Sequence, residues 1–223
     1  MRFVLLFILF PFTFFGQNGN DSLISQKYFE DQFYLGLSYN FLLNHPVGSN
    51  QRNLSYGLQA GVIKDIPLNR LGTKAIGIGA GLALNSYYSN LVANLSNNKI
   101  TYRIEDNITR SKLETHLLEF PLEFRWRTST PSEYKFWRVY TGIKLGYLVA
   151  NSSKYIGDSN TIKRSNIAEF NKLQYGLTVS AGYNTWNVHV YYALNTIFNN
   201  DANISNESLN MSAVKIGLMF YLL

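Results

Sequence analysis

From residue 32 onward, apolar and small or polar residues alternate with a period of two. In Gln32–Leu43, Phe33, Leu35, Leu37, Tyr39 and Phe41 alternate with Tyr34, Gly36, Ser38 and Asn40. The same rhythm runs through Ser55–Ile66, Lys74–Asn85, His116–Arg127, Val139–Val149, Leu173–Tyr183, Val188–Asn195 and Val214–Leu222. A period of two places successive side chains on opposite faces of a strand, so the pattern predicts eight β-strands and no helix. One face carries no charge, and Thr141 is its only plainly polar residue. The other face carries eleven of the sixteen glycines and the mid-strand charges. A soluble β-sandwich or lipocalin-like barrel turns its apolar face inward and covers its outside with Lys, Glu and Thr. Here the polar face is too rich in glycine to be a solvated exterior. It suits the lumen of a narrow barrel whose bulky apolar face meets lipid. The expected fold is therefore all-β, an eight-stranded antiparallel transmembrane β-barrel with a filled polar lumen.

The connections fit that fold. Long and short ones alternate: Asn44–Leu54, then Pro67–Gly72; Ser89–Glu114, then Thr128–Trp137; Asn151–Phe170, then Asn184–Asn187; finally Asn199–Met211. If the first strand rises from the periplasm, every short connection is periplasmic and every long one is external, as in outer-membrane barrels. Both termini are then periplasmic. Trp126, Trp137 and Trp186 all fall at the short-connection end, where an indole finds one wet edge and one apolar face. These three are the expected interface anchors. Phe41, Tyr87, Tyr147 and Phe198 are expected to form an aromatic girdle at the other end. Ser89–Glu114 reads either as a β-ribbon beyond the membrane or as a loop. Pro121 interrupts a strand that must pair on both sides, and a bulge is expected there, with the proline facing the lumen.

Residues 1–16 read as a signal peptide. Arg2 supplies the positive start and Phe3–Phe15 the apolar stretch, which is shorter than the roughly twenty residues of a spanning helix. Cleavage is expected after Gly16, leaving 17–31 as a periplasmic tail and 32–223 as the outer-membrane barrel.

Composition narrows the chemistry. Charged residues are 15% of the chain and aromatic ones 15%, against about 25% charged in soluble domains. No cysteine is present, which excludes disulfides, thiolate metal sites and a lipoprotein anchor. The net charge of +6 is spread without a basic run, so nucleic acid is not an expected partner. Asp65, Glu119, Glu123, Arg125, Lys144, Lys172 and Lys215 fall on the lumen side. Unpaired burial of a charge costs several kcal/mol, so Glu119, Glu123, Arg125, Lys144 and Lys215 are expected to form one internal salt-bridge network. The alternative is a proton or ion path. No catalytic site, cofactor site or metal site is expected. Of the three histidines, His45 lies in a loop, His116 at the start of a strand and His189 low on an inward face. None has a Ser or Asp placed beside it by the sequence. Gly77-Ile78-Gly79-Ala80-Gly81 alternates strictly and precedes no helix, so it is not a phosphate-binding loop.

Two stretches carry a family likeness. They are Leu118-Glu119-Phe120-Pro121-Leu122-Glu123-Phe124-Arg125-Trp126-Arg127 with Glu133 to Gly142, and Phe170 to Leu177 with Ala181 to Trp186. Together they resemble the PorT family of Bacteroidota outer-membrane barrels, and most closely the flavobacterial PorT/SprT branch of the type IX secretion system. The likeness spans Glu30 to Leu223. It implies a non-enzymatic, accessory or assembly role in the export of proteins bearing C-terminal signal domains and in gliding motility. It also implies other type IX secretion or gliding proteins as partners, beside the outer-membrane lipid. The family offers no catalytic or ligand residues to carry over. Two other readings compete: a small OmpX-like surface or adhesion barrel with binding loops, and an outer-membrane lipid or peptide hydrolase.

Overall fold

A computed structural model describes residues 32–51, 53–96, 99–106, 108–128, 136–157, 161–204 and 207–222. The expected signal peptide and tail lie outside the described residues. Thirteen strands follow in chain order: β1 (Gln32–Leu43), β2 (Tyr56–Pro67), β3 (Lys74–Tyr88), β4 (Leu91–Ser96), β5 (Lys99–Ile104), β6 (Arg110–Arg127), β7 (Trp137–Ile156), β8 (Thr161–Ser165), β9 (Leu173–Tyr183), β10 (Trp186–Ala193), β11 (Asn203–Ile204), β12 (Glu207–Ser208) and β13 (Ser212–Leu222). Eight of them close a barrel in the order β1-β2-β3-β6-β7-β9-β10-β13, with β13 pairing back onto β1. Every pairing is antiparallel. No helix among the described residues is long and apolar enough to cross a membrane. The strands do the crossing instead.

The alternation decides what faces where. Phe33, Leu35, Leu37, Leu58, Leu82, Leu122, Phe124, Ile143, Leu177 and Leu218 stand on the exterior, while Tyr34, Asp65, Glu119, Arg125, Lys144 and His189 are buried inside. Trp126, Trp137 and Trp186 are outward and exposed near one end of the barrel. That end carries the short connections and the first strand's start, and is called the turn end below; the other is the loop end. From Trp126 up to His116 on β6, a strand tilted by about 40° climbs about 25 Å, the height of an outer-membrane apolar band.

Small residues shape the inside. Gly61 and Gly81 are direct cross-strand partners, and Tyr34 pairs with Gly61 from the other side. A Cβ on Gly81 would collide with the Tyr34 phenol. The two glycines thus form the seat on which the Tyr34 ring lies, covering backbone that would otherwise be bare.

Pro121 faces the lumen as expected, but the bulge is elsewhere. The β6–β7 register shifts between His116 and Leu117, which leaves Val149 extra on β7. At Pro121 the β3–β6 ladder skips Gly79 and Ala80 and resumes in the same register. The missing N–H therefore costs local ladder bonds without adding a residue.

β6 and β7 run past the apolar band, and β8 adds to the outer part of β7. β4 and β5 form a hairpin, and β11 and β12 a short second one. Much of the stretch Ser89–Glu114 is thus strand.

Candidate functional site

The lumen is filled in three layers. The layer at the turn end is ionic and aromatic. Asp65 on β2 accepts from Arg125 Nη1 through Oδ1 at 2.5 Å and from Arg127 Nη1 through Oδ2 at 2.8 Å. Arg125 Nε donates to Glu123 Oε2 at 3.0 Å, and its Nη1 also reaches Gln32 Oε1 at 3.1 Å. Arg127 Nε donates to the Gly72 carbonyl at 2.7 Å. The Arg125 guanidinium lies 4.4 Å from the Tyr140 ring centre and 5.1 Å from that of Tyr221. Gly77 makes room for it, since a Cβ there would sit 2.6 Å from Arg125 Nε. The side chains of Asp65, Arg125 and Arg127 are wholly buried. Ion pairs this dry persist because each charge meets more than one partner, and the added hydrogen bonds offset their desolvation.

The middle layer is a second, separate cluster. Lys144 Nζ stands 3.2 Å from Glu119 Oε2 and donates to Gln59 Oε1 at 2.5 Å. Lys215 lies over the Tyr191 ring at 4.7 Å. It makes no salt bridge with another described residue. The expected single network of Glu119, Glu123, Arg125, Lys144 and Lys215 is therefore two ion clusters and one lysine held against an aromatic face. The reason is geometric: Glu123 and Arg125 sit four to six positions nearer the turn end than Glu119 along β6, at about 3.4 Å per residue. Two members were missing from the expected set. Asp65 bridges both arginines, and Arg127 continues the inward parity of Arg125. Lys172, expected in the lumen, is exposed in the connection before β9.

His189 has the partner that was not expected. Its Nδ1 stands 2.7 Å from Ser180 Oγ, and the Tyr221 hydroxyl donates to the same Oγ at 3.4 Å. Both His189 and Ser180 are 2% exposed. A Ser–His contact is the start of a nucleophile–base pair, but a hydrolase also needs a group orienting the second ring nitrogen and a path for substrate. Among the described residues His189 Nε2 has no hydrogen-bond partner. With both side chains buried and no partner on Nε2 among the described residues, the pair shows neither of these. No group of three or more His, Asp or Glu suited to a metal occurs among the described residues.

The third layer closes the loop end. Leu42, Tyr87, Leu113, Met211 and Ala213 point inward from the strands or their approaches. Leu91, Ala93 and Tyr102 from the β4–β5 hairpin, with Ile167, Phe170, Ile197, Phe198, Ile204 and Leu209 from the other connections, pack onto them as one buried apolar cluster. Phe198 meets Tyr102 at 5.2 Å and Phe170 at 4.7 Å between ring centres. Tyr87 and Phe198 thus belong to an apolar cap, not to the expected girdle. Phe41 and Tyr147 do face outward and are exposed.

The outer membrane protein beta-barrel domain family matches the chain over residues 15–199. No curated protein matches. Two similar solved structures are mutants of the Rh. blastica porin. A triple mutant is 8% identical with a TM-score of 0.22, and a double mutant 9% identical with a TM-score of 0.23. Each comparison covers 87% of this chain and all of the porin chain. A likeness of this degree says nothing of what the chain does.

Proposed function

Because the chain belongs to the outer membrane protein beta-barrel domain family, we propose that it acts there as a non-enzymatic accessory or assembly component of type IX protein secretion. In this reading both termini are periplasmic, the loop end is external, and the partners are other secretion or gliding proteins. The observation that carries it is the plugged lumen: ion clusters fill the barrel, and the Phe198 cluster caps it. Such a barrel passes neither a folded protein nor an unfolded chain, so its contribution to export is made through its surfaces. The stretches Leu118 to Arg127 with Glu133 to Gly142, and Phe170 to Leu177 with Ala181 to Trp186, are the basis for assigning it to this machinery. Deleting the gene and profiling the medium tests the role. Loss of many cargo proteins bearing C-terminal signal domains is the expected result, with recovery on re-expression. Normal secretion would overturn it.

One observation favours a second reading. β6, β7 and β8 project beyond the apolar band as a three-stranded ribbon with β8 at its edge. An edge strand can pair with a strand of another protein, which suits a surface or adhesion barrel. Normal secretion together with lost adhesion in the same deletion strain selects it.

A further inference from the structure

The outer face of that ribbon carries an unusual row. Tyr88 on β3 pairs with Lys112 on β6, Lys112 with Lys154 on β7, and Lys154 with Lys163 on β8. Cross-strand partners share a face with Cβ atoms about 5 Å apart, and like charges set directly opposite destabilise a sheet. Three consecutive lysines in one row therefore work against the ribbon unless an anion lies over them. Arg110 follows two residues farther out on the same strand and face, its guanidinium 5.9 Å from the Tyr88 ring centre. Among the described residues the only acid in these cross-strand rows is Glu114, and it is taken by Lys112 at 2.5 Å. Among the described residues Lys154, Lys163 and Arg110 make no ion pair.

Height gives the second argument. His116 marks the upper limit of the apolar band on β6, with Leu118, Phe120, Leu122 and Phe124 below it. Lys112 lies four residues above, and a tilted strand climbs about 10 Å over that distance. From there a long lysine side chain reaches back to the headgroup layer, which extends about 5–8 Å beyond the hydrocarbon core. The row between is Ser86, Glu114, Ser152 and Ser165; Ser86 is buried, and the Ser86 and Ser152 hydroxyls donate to the Glu114 carboxylate. The face thus passes from apolar side chains through this polar row to cationic ones, so that the phosphates of a lipid whose acyl chains lie on the band would meet the lysines.

We propose that Lys112, Lys154, Lys163 and Arg110 bind the phosphate groups of the glycolipid in the outer leaflet, holding the β6–β7–β8 ribbon upright on the membrane surface. This rests on the reading that the loop end is external.

The test uses the full mature chain, folded in neutral detergent, with lipid A and with lipid A stripped of its phosphates as probes. Native mass spectrometry reads the affinity, and thermal unfolding reads the stability. The wild type is expected to bind the phosphorylated form selectively. Lys154→Gln with Lys163→Gln should weaken that binding about tenfold or more. It should also raise the unfolding midpoint when no lipid is present, because the repulsion is relieved. Lys154→Arg with Lys163→Arg should retain binding. Arg70→Gln with Lys74→Gln removes the same charge at the turn end and should leave binding unchanged. Equal binding of the two lipid forms, or equal weakening by the two Gln pairs, overturns the proposal. Orientation is tested apart. With no native cysteine, Val47→Cys at the loop end should take an impermeant maleimide on intact cells, and Leu71→Cys at the turn end should not. The reverse labelling would overturn the placement of the row in the outer leaflet even if lipid A binds in detergent.

Discussion

Asp65 decides the turn-end layer, since among the described residues it is the one that joins Arg125 to Arg127. Asp65→Asn leaves two buried guanidiniums without their shared counter-charge and should cost about 3–5 kcal/mol. Glu105→Gln removes the half-buried partner of the exposed Arg103 and should cost less than about 1 kcal/mol. Urea unfolding in micelles, followed by tryptophan fluorescence, compares the two; equal losses would mean the buried cluster is not integral to the barrel. Above the apolar band, burial pushes the Glu114 carboxyl up, but hydrogen bonds and charge from Lys112, with bonds from Ser152 and Ser86, outweigh it and hold the group below its usual range. A carboxyl lowered on folding stabilises above its unfolded value, and that contribution is lost as pH falls through the folded one. Glu114→Gln should therefore flatten the decline of stability below about pH 4.5, read as unfolding midpoint against pH. At this scale the sequence was partly legible. The two-residue turn Asn184-Thr185 pairs Tyr183 with Trp186 and so must pair Ser180 with His189; the contact follows from the turn alone. The Asp65–Arg127 bridge does not, because β2 and β6 are separated by β3 and their relative height depends on the stagger of the closed barrel.

Among the elements, the eight spanning strands were readable because one face had to be uniformly apolar. Parity also contained the fate of Tyr87: with Leu82 and Leu84 outward on β3, an odd residue points inward, into the cap. Phe198 sits outside any spanning strand, so no period fixed its direction. The bulge was hidden by the run Tyr147-Leu148-Val149-Ala150, where apolar residues on both faces erase the alternation. Pro121 marks a break in the ladder rather than a bulge, because losing one donor need not insert a residue. The cap makes its own prediction. Phe198→Ala empties a site between Tyr102 and Phe170 and should cost about 3–5 kcal/mol of cap stability. Trypsin should then cut faster at Arg103 in the β4–β5 hairpin, while the barrel keeps the gel mobility of its folded form. Unchanged cleavage would show that the hairpin does not depend on this cluster.

As a whole the molecule is a protein turned inside out: its apolar side chains cover the outside, its ions occupy the axis, and the large buried apolar cluster among the described residues is the cap. The outer membrane follows from that inversion, because an exterior carrying Phe33, Leu82, Leu122, Val149 and Val188 needs hydrocarbon around it. The proposed export role depends on the same arrangement, since a plugged barrel works only through what its surfaces hold. The most direct test places a single spin label, in liposomes, at Leu118→Cys, Phe120→Cys, Leu122→Cys and Phe124→Cys in turn. Collision with oxygen should exceed collision with a water-soluble nickel complex at all four sites, and most strongly at Phe120 and Leu122, nearest the middle of the band. If the nickel complex reaches Leu122 as readily as it reaches a label at Val47, the apolar face is not in lipid and the account fails.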